Sequence, residues 1–130
     1  MSIILRARPV ALAVIGLGML STSPAFGDAT IEQGKTVYNT LGACGTCHGP
    51  EGKGDGPAGA ALNPKPRSFA AGDFALDTDG DGKTGTETDV FNVITNGAQK
   101  YGGSVMMVGR PDIPEADRKA LAKYVLSLKQ

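Results

Sequence analysis

Between Pro114 and Leu128 apolar residues return every three or four positions, at Ala116, Ala120, Leu121, Tyr124, Val125 and Leu128. That period gathers them on one stripe of a helix. Proline in the first turn, Glu115 and Asp117 near the start and Lys123 and Lys129 near the end all suit the helix dipole, so the spacing predicts a helix over 114–128. A shorter periodic stretch runs over 28–38, where Ile31, Gly34, Val37 and Tyr38 fall near one face. Glycine inside a helix costs about 1 kcal/mol relative to alanine. Its presence implies that another element passes close to the backbone, and the last helix is the best candidate, with Tyr38, Leu121 and Tyr124 in contact. A third helix begins near Asp89, with Val90, Phe91, Val93 and Ile94 as its apolar face, Thr86 or Thr88 as its cap and Asn96-Gly97 as its end. The intervening stretches, Gly49 to Phe69 and Ala98 to Asp112, read as irregular loops apart from a short turn around Ala58 to Leu62. No strand–helix–strand alternation occurs, and the expected class is all-α.

The first 27 residues follow a different pattern. Arg6 and Arg8 precede an uncharged run from Val10 to Leu20, and small and turn-forming residues end at Ala25-Phe26-Gly27. The run is short for a bilayer span, and the pattern is that of an export signal cut after Gly27. The expected organisation is therefore a signal over 1–27 and one domain over 28–130, periplasmic or otherwise exported, without stable membrane insertion once the signal is removed.

Charge changes the picture modestly. The chain has 13 basic and 13 acidic residues, and losing Arg6 and Arg8 with the signal leaves an acidic excess of two. Nucleic acid is excluded as a natural partner, because phosphate binding relies on a basic surface. Aromatic residues make up 5% of the chain and tryptophan is absent, so a domain this small has a limited core of its own. A buried apolar cofactor would supply the missing area.

The chemistry is concentrated in Cys44-Gly45-Thr46-Cys47-His48, which contains both cysteines and the single histidine. Cys-x-x-Cys-His is a c-type haem attachment pattern: two thiols couple to the two vinyl groups of one porphyrin edge, and the next imidazole binds the iron. Three other readings of a Cys-x-x-Cys pair lack support. A redox dithiol belongs beside a βαβ pattern, a closed zinc site needs four ligands where this chain offers three Cys and His residues, and a two-cysteine staple would close a tiny loop. With His48 committed to one side of the iron, the distal ligand falls to Met106 or Met107, the two methionines beyond the signal. Neighbouring residues of an extended loop point to opposite sides, so only one reaches the metal.

Helix, Cys-x-x-Cys-His, methionine loop and a last helix carrying Leu121 and Tyr124 together resemble the class I cytochrome c family over essentially all of residues 28–130. The resemblance implies a cytochrome c fold of three to five helices around one covalent haem c, with the first and last helices crossed and His48 and Met107 as axial ligands. Met107 is the choice because the family's methionine stands six residues after the loop tyrosine, here Tyr101, and seventeen before the tyrosine of the last helix, here Tyr124. By the same resemblance Pro57 turns its carbonyl toward the second nitrogen of His48 and fixes the ring. The glycine-rich run after His48 looks most like small bacterial members, which implies a one-electron carrier meeting redox partner proteins at an exposed haem edge. The alternatives are a haem subunit of an exported dehydrogenase or oxidase complex, and a gas or redox sensor with a labile sixth ligand.

Two charged segments stand apart. Lys65 or Arg67, in a stiff proline-rich stretch, can pair with a haem propionate or remain solvated. Asp77, Asp79 and Asp81, followed by Gly82, match the first half of an EF-hand calcium loop. At the twelfth position, where that loop wants a bidentate glutamate, stands Thr88. Calcium at Asp77, Asp79 and Asp81 and ordinary Asx turns are both compatible with this pattern.

Overall fold

The computed structural model describes residues 26–130 and contains four α-helices: α1 over Phe26–Asn39, α2 over Gly45–His48, α3 over Glu87–Asn96 and α4 over Glu115–Ser127. Single 3-10 turns at Gly59–Ala61 and Gln99–Tyr101 punctuate the loops. The segment 1–27 read as an export signal lies, except for Phe26 and Gly27, outside the described residues. Among the described residues there is no strand, and no helix is long and apolar enough to cross a membrane.

The core is the seam between α1, α3 and α4. Val37 and Tyr38 from α1, Val90 and Ile94 from α3, and Leu121, Ala122, Tyr124 and Val125 from α4 form one buried cluster with Ile113. Tyr38 and Tyr124 meet edge to face with ring centroids 5.3 Å apart, an arrangement that adds about 1 kcal/mol to their burial. The α1–α4 crossing is at Gly34, as the periodicity predicts: a Cβ there would collide with the Ala120 carbonyl and lie 2.7 Å from Tyr124 Cβ. Gln33 reinforces the crossing by donating from Nε2 to Asp117 Oδ1 at 2.6 Å.

The predicted stripe of α4 needs one correction. Ala116 is exposed and Ala122 is fully buried. Ala116 lies one turn before the crossing at Ala120, too near the helix start to be covered by α1, whereas Ala122 is reached by the surrounding core. In α3 the cap is Thr86, not Thr88. Its hydroxyl accepts from Asp89 N while the Asp89 carboxylate accepts from Thr86 N, a reciprocal capping box. Gly97, with φ of +83°, ends the helix.

A candidate haem-binding cavity

Cys44, Cys47 and His48 lie on α2 and the residue just before it. Their backbone is anchored to α1 by the Cys44 N–H, which donates to the Tyr38 carbonyl at 3.0 Å, and by the Tyr38 hydroxyl, which donates to the Gly49 carbonyl at 2.6 Å. All three side chains line a cavity of ≈ 720 Å³, within the range of about 300–1,000 Å³ typical of cofactor sites. Apolar walls come from α3, α4 and the loops: Leu62, Phe69, Phe74, Val90, Ile94 and Leu121 are among the lining residues, and Met106 and Met107 line it too.

His48 is buried, and its Nδ1 stands 3.1 Å from the Arg67 carbonyl. A carbonyl can only accept, so this bond requires the proton on Nδ1 and leaves the lone pair on Nε2, the form in which imidazole binds a metal. Burial pushes the imidazole below its ordinary titration range, against the opposing pull of the Arg67 carbonyl, which keeps the ring neutral near pH 7. The Phe69 ring stacks on it with centroids 4.3 Å apart.

The ring's partner is therefore Arg67 and not Pro57. Gly56 and Ala58 turn their N–H groups to the carbonyls of Cys47 and Thr46, at 3.1 and 3.0 Å, leaving Pro57 between them exposed to solvent. The segment that reaches His48 is 66–69, brought close by Gly54. That residue has φ of +79°, and a Cβ on it would lie 2.6 Å from the Pro66 carbonyl oxygen. Phe69 N donates to the Gly52 carbonyl at 2.6 Å and holds the same approach. The Arg67 side chain is occupied by Asp73, with Nη1 2.9 and 3.1 Å from its two oxygens. Of the two cations considered for a propionate, Lys65 has no such pairing among the described residues, and both line the cavity.

On the other wall, Met107 is fixed through its backbone. Its carbonyl accepts from Ala98 N at 3.0 Å and its N–H donates to the Ser104 carbonyl at 3.2 Å. Met107 is half-buried, while Met106 is 56% exposed.

The residues present fit a covalent haem. Cys44 and Cys47 are both free thiols facing one cavity. Burial pushes the Cys44 thiol up to about 11, which is the opposite of the lowered value a redox dithiol uses.

The acidic loop is organised differently from the expected calcium site. Asp77, Asp79 and Asp89, and not Asp81, bring carboxylate oxygens within 4.8 Å of one another. Asp77 accepts from Gly80 N and Gly82 N at 2.7 and 2.9 Å, Asp81 accepts from Lys83 N at 2.8 Å, and Asp89 accepts from the N–H and hydroxyl groups of Thr78 and Thr86. These are Asx turns and a helix cap, and nothing beyond the acidic grouping speaks for calcium.

Comparison with known proteins agrees with the geometry. A chain of the reducing HAO-like protein complex of Kuenenia stuttgartiensis is similar, with 28% identity and a TM-score of 0.63 over 95% of this chain. The present chain spans about half, 52%, of the length of that one. Among curated proteins none matches. The family model for cytochrome c matches residues 31–129. With that match, the attachment turn, the crossed terminal helices and the cavity beside them, this chain belongs to the cytochrome c family.

Proposed function

We propose that the protein is an exported one-electron carrier holding a single haem c, bound through Cys44 and Cys47 with His48 and Met107 as axial ligands. The observation that carries this reading is the shared cavity. Both thiols and the neutral imidazole line it together with Met107, whose backbone is held on both its N–H and its carbonyl. When bound, the haem supplies a reversible ferrous–ferric couple, which a thioether ligand shifts toward the ferrous state.

The chain's own residues do the rest. Tyr38 and Arg67 fix the attachment turn and the imidazole, so little reorganisation accompanies a change of charge. Phe69, Phe74, Ile94 and Leu121 exclude water from the cavity, and low polarity there favours the less charged state. Membership of the cytochrome c family supports the reading of a carrier rather than an enzyme acting alone. Partners would meet it through a small replaceable interface.

The test is optical. Met107→Ala is expected to abolish the thioether-to-ferric-iron band near the red end of the spectrum, and Met106→Ala to retain it; the reverse result transfers the ligand role to Met106. Mass spectrometry of protein from its host checks export, with a mature N-terminus at Asp28 expected and one near Met1 counting against it. A second reading, a haem subunit docked to a larger chain, is favoured by the similar chain's place in a complex. Size-exclusion of the protein from its host separates the two, since a carrier elutes alone and a subunit with its catalytic chain.

A further inference from the structure

The two halves of the cavity are distant in sequence, and one side chain ties them. Arg110 donates from Nη1 to the Gly42 carbonyl at 3.1 Å and from Nη2 to the Leu41 carbonyl at 2.8 Å, across 68 and 69 residues. Asp112 holds the guanidinium in place, accepting from Nε at 2.9 Å and from Nη2 at 2.8 Å. The main chain of Arg110 is itself anchored, its N–H donating to the Ile94 carbonyl at 2.7 Å. Among the described residues, no other hydrogen bond joins the segment 40–48 to the segment 97–112.

Each end of this tie abuts the site. Leu41 and Gly42 lead directly into the attachment turn, where Ala43 has φ of +47°, a left-handed conformation disfavoured for a residue with a Cβ. Such a conformation persists only where neighbours over-determine it, and Arg110 grips the two carbonyls immediately before it. At the other end, Arg110 is three residues from Met107 and lines the same cavity. The planar guanidinium makes four bonds at once to two carbonyls and both oxygens of a carboxylate, one more than the three donors of an ammonium group supply.

We infer that Arg110 is a positioning residue that fixes the methionine loop against the attachment turn and so sets how tightly the distal thioether is held to iron. The inference rests on the Met107 ligation proposed above. It implies that breaking the tie loosens the distal ligand without disturbing the covalent attachment, His48 or the α1–α4 crossing.

The experiment compares holo-protein of wild type, Arg110→Lys and Asp112→Asn by the red-end thioether band of the ferric form and by the rate at which the ferrous form binds carbon monoxide. Circular dichroism establishes the fold of each. Loss of a hydrogen bond to a charged group corresponds to about a tenfold shift in an equilibrium. Arg110→Lys is therefore expected to weaken the band and to bind carbon monoxide about tenfold faster while remaining folded. Asp112→Asn should move both readouts in the same direction by less. A folded Arg110→Lys protein with the wild-type band and rate overturns the inference. If Arg110→Lys yields no folded holo-protein, Asp112→Asn decides: a faster rate supports the tie, and a wild-type rate overturns it. A wild-type protein that itself lacks the band or binds carbon monoxide freely overturns the ligation reading, a failure distinct from unchanged variants on an intact wild-type background.

Discussion

Gly34 and Ala120 meet backbone to backbone: the space a Cβ on Gly34 would need is filled by the Ala120 carbonyl. Elsewhere in a helix, Gly→Ala gains up to about 1 kcal/mol. At this crossing the sign reverses, because overpacking against backbone has no flexible neighbour to yield. Gly34→Ala should destabilise the holo-protein by about 2 kcal/mol, read as a lower midpoint in denaturant.

Tyr38 supplies a second check on the same seam. Burial, together with Cys44, Tyr124 and Asp55 nearby, pushes its phenol far above the ordinary value, so it remains a hydrogen-bond donor throughout the accessible pH range. Tyr38→Phe keeps the ring packing but removes the shorter of the two bonds to the buried Gly49 carbonyl, which retains the Gly52 N–H at 3.2 Å, at a cost of about 1 kcal/mol. The loss should appear in denaturant unfolding with little change in the visible spectrum, since His48 keeps its bond to Arg67.

Pro57→Ala is expected to leave the haem spectrum unchanged and to alter stability by less than about 1 kcal/mol. A shifted midpoint potential or spectrum in this variant would return the imidazole-orienting role to Pro57. The substitution tests the geometry in which Arg67, and not the proline loop, holds His48.

Asp89 gives an acid-dependent prediction. Burial raises its affinity for a proton, but the N–H and hydroxyl bonds from Thr78 and Thr86 together outweigh this and hold the carboxyl below its ordinary value. A group whose folded value is depressed contributes stability that is complete above the unfolded value, near pH 4, and disappears as pH falls through the folded value. Wild type should therefore lose thermal stability below about pH 4 more steeply than Asp89→Asn. At neutral pH the variant should be less stable by about 1 kcal/mol, since an amide offers one accepting oxygen where the carboxylate offers two to Thr78 and Thr86.

Removing the haem tests the balance of the whole fold. A dry apolar cavity costs about 24 cal/mol per Å³, so even part of the ≈ 720 Å³ lined by Cys44, His48, Phe69 and Leu121 would cancel the total stability of a small domain, about 5–15 kcal/mol. The double variant Cys44→Ala, Cys47→Ala, expressed without haem, is expected to lose cooperative thermal unfolding. A sharp transition would show that the chain closes the cavity by itself.

How much of this was legible in the sequence depended on whether side chains or backbone carried the information. The attachment turn was readable because only Cys and His perform that chemistry, and the Gly34 crossing because only glycine permits it. The ring's acceptor was not. Every residue has a carbonyl, so nothing in the composition separates Arg67 from Pro57; the nearest clue was Gly54, whose close approach to Pro66 carries the acceptor segment past the turn. Phe69 was missed as the imidazole's stacking partner for a similar reason, being one apolar residue in an irregular loop. Arg110 carried no signal in the sequence, since the carbonyls it binds lie 68 and 69 residues away. In the acidic loop the alternating aspartates were visible, but the fold substitutes Asp89 for Asp81 because the helix start brings Asp89 back onto Thr78.

That return contact has a practical corollary. With Asp89 clasping Thr78 and Thr86 at the two ends, residues 79–85 form a closed tip in which residues 79–84 are exposed. Its far end is a natural graft point: a peptide tag or surface-coupling cysteine in place of the exposed Lys83, away from Gly85, which lines the cavity, would wire the protein to an electrode while the cofactor chamber stays as it is.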